Sequence, residues 1–248
     1  MLVRPDERVP IARLLTFLEY GERMARDCAA RQAVAADDAR AGRFLKSQAR
    51  QEAMHARVFQ GAIVWLAPRH LGDAPFLPAL EAYRAKLDDA FARRDLNETF
   101  MAEQIILEGL GEAILNRIEA GLARRGAPFG NVRRILIRQE EAHHAFGERM
   151  IWRAVAAGQT DFGDLARKAQ DYLALTQRMV LTLAELFDAI QEDSAAWVSD
   201  LSRYLPRWLN ETGMWREVSG EGVTRMTGEQ EKIKSLCRGS HFLSTDPP

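Results

Sequence analysis

Arg138-Gln139-Glu140-Glu141-Ala142-His143-His144-Ala145-Phe146-Gly147 decides the fold, because Arg50-Gln51-Glu52-Ala53-Met54-His55 repeats its key spacing. Both stretches contain Glu-x-x-His, and both lie in long runs of helix-forming residues without proline. Residues three apart share a face of an α-helix, so each motif turns one carboxylate and one imidazole toward the same point. One such motif is common on a solvated helix face. Two of them in a chain with only five histidines point to a metal site. A Glu-x-x-His from each of two helices, with one Glu from each of two others, is how four-helix bundles hold a pair of iron or manganese ions. The motif pair therefore demands two further glutamates on apolar helix stripes.

The first lies between Val9 and about Ala36, where Ile11, Leu15, Leu18, Ala25 and Ala29 recur at helical spacing and Glu22 falls on the same stripe. A buried carboxylate is costly unless it is paired or metal-bound, which selects Glu22. Glu19 shares a face with Arg23 and Arg26 and reads as solvated. A second helix, from about Ala41 to Leu66, carries Phe44, Leu45, Gln48, Glu52, His55 and Phe59 along one side and stops before Pro68. A short helix from Ala79 to about Arg93 suits a crossover. The third long helix, about Asn97 to Arg125, offers Glu103, Glu108 and Glu112. A stripe through Met101, Gln104, Glu108, Gly111, Leu115 and Ile118 favours Glu108. Spacing agrees: Glu22 and Glu52 are 30 residues apart, Glu108 and Glu140 are 32. Glu103 is the second choice, since Phe100, Leu107 and Leu110 share its face.

In the fourth helix, about Asn131 to Ala157 with Gly158 as its stop, Leu136, Glu140, His143, Gly147 and Ile151 form one apolar stripe. It favours Glu140 with His143 over Glu141 with His144, although the tandem doubles leave His144 open as the ligand. Gly109, Gly111 and Ala142 either leave room beside the site or serve close helix packing. His70 and His241 read as solvent-exposed. Beyond Gly158, residues from Asp161 to about Gln191 and from Ser194 to Leu209 read as further amphipathic helices that pack on the bundle or form a dimer face.

The expected fold is all-α: a four-helix bundle with a crossover and additional C-terminal helices. The expected organisation is an N-terminal arm at 1–8, a di-metal bundle at 9–158, packed C-terminal helices at 159–212 and a partly disordered tail at 213–248. With 34 Lys and Arg against 35 Asp and Glu, the net charge of −1 argues against nucleic acid as a partner. No stretch approaches the eighteen or so apolar residues of a membrane span, and the N-terminus leads into an amphipathic run rather than a signal peptide. A cytoplasmic protein is expected. Cys28 and Cys237 are the only cysteines, too few for a disulfide framework or a cysteine-held metal.

The ordered set Gly21-Glu22-x-x-Ala25, Glu52-x-x-His55, Ile105-Ile106-Leu107-Glu108 and Glu140-x-x-His143-x-x-Phe146-Gly147-Glu148 resembles the ferritin-like di-iron carboxylate superfamily, and within it the aldehyde-deformylating oxygenases. It covers residues of about 10 to 157. The resemblance implies two iron ions, or manganese, held by Glu22, Glu52, His55, Glu108, Glu140 and His143, with Glu52 and Glu140 bridging. It implies dioxygen activation beside an apolar channel that admits a small organic substrate such as a fatty aldehyde, with electrons from an external ferredoxin-type reductase. An acid often precedes the last Glu-x-x-His in that superfamily; here Gln139 stands there, able to hydrogen-bond but not to supply charge. Phe59 occupies the place of the radical tyrosine of ribonucleotide reductase subunits. An iron-handling ferroxidase and a di-metal peroxidase or catalase are the alternative activities.

Overall fold

The computed structural model describes residues 3–68, 72–124, 126 and 130–210. His70, Cys237, His241 and the expected tail at 213–248 lie outside them. After a single 3-10 turn, in which Glu7 is buried and bound by the Arg4 guanidinium, α1 (Arg8–Ala35) opens the bundle. Asp38 caps α2 (Ala39–Leu66) by accepting from the Arg40 amide, and α1 and α2 pack along each other. Helix α3 (Leu77–Ala92) is the crossover. A composite third member follows: α4 (Leu96–Phe100), a wide π turn (Met101–Leu107) and α5 (Glu108–Arg124). Asp95 caps its start through the Glu98 amide. The fourth member, α6 (Gly130–Ala156), packs on α5 and on the π turn and ends before Gly158, which turns the chain with φ 68°.

Three expectations meet corrections here. The third member is not a uniform α-helix, and the run from Asp161 to Gln191 is not one helix. It divides into α7 (Phe162–Leu181) and α8 (Ala184–Ala189), which separate at Thr182 and Leu183. The run from Ser194 to Leu209 is not one helix either: it divides into α9 (Ser194–Leu201) and α10 (Arg207–Asn210). Helix α7 covers α3 and the π turn, α8 lies on α1, and α9 lies on α5 and α7.

The π turn is held from both sides. Tyr83 of α3 donates its hydroxyl to the Ala102 carbonyl at 2.5 Å, and its ring meets Tyr172 of α7 edge-on at 4.9 Å. On the opposite side α6 comes so close that a Cβ on Gly147 would stand 2.4 Å from the Gln104 Cβ. Only glycine fits that crossing.

Candidate metal centre

Six side chains predicted as ligands meet in the middle of the bundle. Glu22, Glu52, His55 and Glu140 present one donor atom each within 4.8 Å of one another, and so do Glu52, Glu108, Glu140 and His143. The two groups share Glu52 and Glu140, which therefore face both positions. His55 Nδ1 lies 3.0 Å from Glu52 Oε2, 2.9 Å from Glu140 Oε1 and 3.3 Å from Glu22 Oε2. His143 Nδ1 lies 2.8 Å from Glu52 Oε1 and 3.6 Å from Glu108 Oε1. Glu52 and His55 are wholly buried, whereas the Glu22 side chain keeps 11% of its exposure.

The two motifs brace each other. Gln139, directly before Glu140, accepts from His55 Nε2 at 2.8 Å; Gln51, directly before Glu52, accepts from His143 Nε2 at 2.7 Å. An amide oxygen on Nε2 keeps the ring proton there and leaves the Nδ1 lone pair facing the carboxylates. Gln51 was missed from the sequence, yet the signal was present. Both motifs read Arg-Gln-Glu before the x-x-His, so the repeat runs one residue further back than the donor atoms alone require.

Buried polar atoms ordinarily find partners. Here Glu52 Oε1 and Oε2, Glu140 Oε1, His143 Nδ1 and Glu103 Oε2 are all buried without a geometrically acceptable hydrogen bond among the described residues. Four of these atoms belong to the two donor groups, and that oxygen-rich, two-imidazole set suits iron or manganese. The electrostatics agree. Burial, and then the Glu140 charge, push the Glu22 carboxyl well above its usual range. Burial and Glu108 do the same to Glu140. Burial would lower the His143 pKa, but Glu108 and Glu52 outweigh it and raise the imidazole to about 11. Burial also opposes ionisation of Glu52, yet the two histidines hold its pKa down at about 2. Protons thus do the charge balancing that a metal pair would do.

The remaining sequence candidates separate cleanly. Glu141 is exposed, and His144 is half-buried with its Nε2 beside Gly109, turned from the centre. Ala142 is exposed, while a Cβ on Gly111 would touch Glu140 Oε2 at 3.7 Å. Gly109 packs under Leu201 and Tyr204 of the α9 region. Glu19, expected to be solvated, is buried and paired with Arg23 at 2.5 Å. Glu112 is buried one turn beyond Glu108, its carboxyl raised to about 7 by burial and by Glu141 and Glu140. Glu103 is the surprise: it is wholly buried and sits beside Glu108 rather than competing with it.

One cavity touches the cluster, and a second adjoins the first. A small one of about 40 Å³ touches Glu22, Glu108 and Glu140. A larger one of about 350 Å³ is lined almost wholly by apolar side chains of α1, α2, α5 and α6, and the two share Phe17, Leu18 and Ile114 as a common wall. At the rim of the large chamber, Arg117 is paired with Asp200 and Glu192, and Arg133 with Glu119.

No protein-family model matches the chain, and no curated protein sequence does. Among solved structures, protein 19 with aldehyde deformylating oxidase activity from Synechococcus superposes with a TM-score of 0.67, over 96% of this chain and 100% of that one, at 17% identity. The fold is ferritin-like. At that identity the match speaks for the architecture, and the site's chemistry has to be argued from its own residues.

Proposed function

We propose that this ferritin-like chain is a di-iron, dioxygen-dependent oxidoreductase acting on a small, uncharged, apolar organic molecule. The observation that carries the reading is the cluster of buried carboxylate and imidazole donor atoms, set beside a small cavity that shares a wall with an apolar chamber. Glu52 and Glu140 would be shared by both ions, Glu22 and His55 would hold one and Glu108 and His143 the other, with manganese as the alternative metal. Two ferrous ions held there would supply electrons for the reduction of dioxygen.

The chain's own residues do the rest. Gln51 and Gln139 fix the imidazole protons on Nε2, so each Nδ1 stays aimed inward. Stacked Phe44 and Phe146, 4.1 Å apart, exclude water beside His143. Phe17, Leu18 and Ile114 separate the small cavity from the large one and position whatever occupies the latter. Because Arg117 and Arg133 are neutralised by carboxylates, the rim favours an uncharged head group over a carboxylate ligand. A fatty aldehyde meets both demands, and the structural neighbour from Synechococcus has aldehyde deformylating activity. An external ferredoxin-type donor completes the scheme. The chamber also weighs against iron storage, which has no use for a 350 Å³ apolar cavity.

Anaerobic ferrous loading should give two irons per chain, and the loaded protein with a reductant and dioxygen should consume medium-chain aldehydes. His143→Ala should abolish turnover and lower the metal content. Full activity with normal metal in that variant would overturn the assignment.

A further inference from the structure

We infer that Glu103 is an exchange partner of Glu108: a further carboxylate that holds the ion on the His143 side when Glu108 releases it. The inference rests on the di-metal reading above. Five residues along a regular α-helix turn a side chain about 140° away, so Glu103 and Glu108 could not both address the centre from one. The π turn removes that obstacle. The Glu108 amide donates to the Glu103 carbonyl, five residues back, and a turn closed over that span stacks the two side chains.

Both carboxylates then accept from one amide group. Gln48 Nε2 lies 3.1 Å from Glu103 Oε1 and 2.8 Å from Glu108 Oε1. Gln48 is kept in this orientation because Gln104 Nε2 donates to its Oε1 at 3.3 Å, and Gln104 is tied in turn to Gln32 at 3.0 Å. Glu103 is wholly buried, and its Oε2 has no hydrogen-bond partner among the described residues. Glu103 lies outside both donor groups as they stand, so it reaches the ion by a turn of its own side chain past Glu108. The pair is not symmetric toward the cavities: Glu108 lines the 40 Å³ space and Glu103 does not. Transfer of the ion from Glu108 to Glu103 therefore frees the face that looks into that space, where a second molecule can approach.

Manganous ion, whose free form is counted by its EPR signal, is the probe for four proteins: the unaltered chain, Glu103→Gln, Glu108→Gln and the double variant. The unaltered chain should take up two ions. Glu108→Gln should still take up two, the weaker one loosened by less than about tenfold, whereas the double variant should lose it by more than about a hundredfold, the scale on which site partners act. If Glu108→Gln alone loses the second ion as fully as the double variant, or the double variant binds as well as Glu108→Gln, the exchange is overturned. Glu103→Asp in the Glu108→Gln background, which retracts the carboxylate by one methylene, supplies a second arm should the double variant fail to fold. It should loosen the second ion by at least about tenfold, and unchanged binding would overturn the proposal. An unaltered chain that binds fewer than two ions would instead sink the di-metal reading itself.

Discussion

Around His55 the neighbours are Glu22, which keeps some exposure, and Gln139; around His143 they are Glu108, Gln51 and a buried amide chain running through Gln48, Gln104 and Gln32. The two motifs are nearly identical in sequence, and both histidines are buried to the same degree. What differs is the helix that faces each of them. Helix α1 offers Gly21 and Ala25 beside Glu22, at the small cavity that Glu108 and Glu140 also line. The π turn opposite His143 instead fills its side with polar groups that hold one another. A repeated motif thus fixes the donor atoms, while the unrepeated helices decide how each side is held.

The sharpest way to break this comparison is to remove the carboxylates one at a time. Glu52→Ala and Glu140→Ala should each cost both ions, because each residue belongs to both donor groups, whereas Glu22→Ala should cost only one. Metal analysis of the purified variants decides the matter, and equal losses in all three would refute the sharing. The crossed glutamines come next. Gln139→Leu should weaken the ion beside His55, and Gln51→Leu the ion beside His143, each by about 10- to 100-fold. Competition with a chelator of known affinity would measure both.

The direction of pH dependence separates metal-free from metal-loaded protein. Glu22, Glu140 and His143 all titrate higher in the folded chain than in the unfolded one. From about pH 5 to 9 the metal-free fold therefore holds more protons than the unfolded chain, and its stability should fall as pH rises. Glu52, held at about 2, works the other way, but only below the ordinary carboxylate range. Metal binding displaces those protons, so affinity should rise with pH. Melting curves at pH 5.5 and 8.5, with and without manganous ion, should slope in opposite directions; parallel slopes would contradict the charge balance described here. The smallest effect concerns the π turn alone. Gly147→Ala forces a methyl group against Gln104 and should cost about 1–3 kcal/mol, seen as a drop of several degrees in the melting midpoint.

Much of the bundle was legible because its ligands break an apolar pattern. Glu140 and His143 share a stripe with Leu136 and Ile151, and all four are buried; period alone sufficed to place them. The π turn was not legible. Met101–Leu107 contains no glycine, proline or other break in helix-forming composition, and its wide turn is imposed by Tyr83 on one side and α6 on the other, contacts distant in sequence. A strict helical period consequently set Glu103 against Glu108 as rivals, when the turn brings both to Gln48. Glu19 misled for a related reason: a period assigns faces but does not report that Arg23 folds back to pair with a buried acid. The break at Thr182 and Leu183 likewise carries no glycine or proline to announce it.

The crossed glutamine bonds have a consequence for how the chain reaches this state. They join residues 84 and 92 positions apart, so neither histidine is oriented until α2 and α6 have met. Loop closure over such distances makes contacts of this kind slow to form. Metal binding at this cluster would then wait on the meeting of α2 and α6, so a nascent chain would complete the donor set only after α6 had left the ribosome.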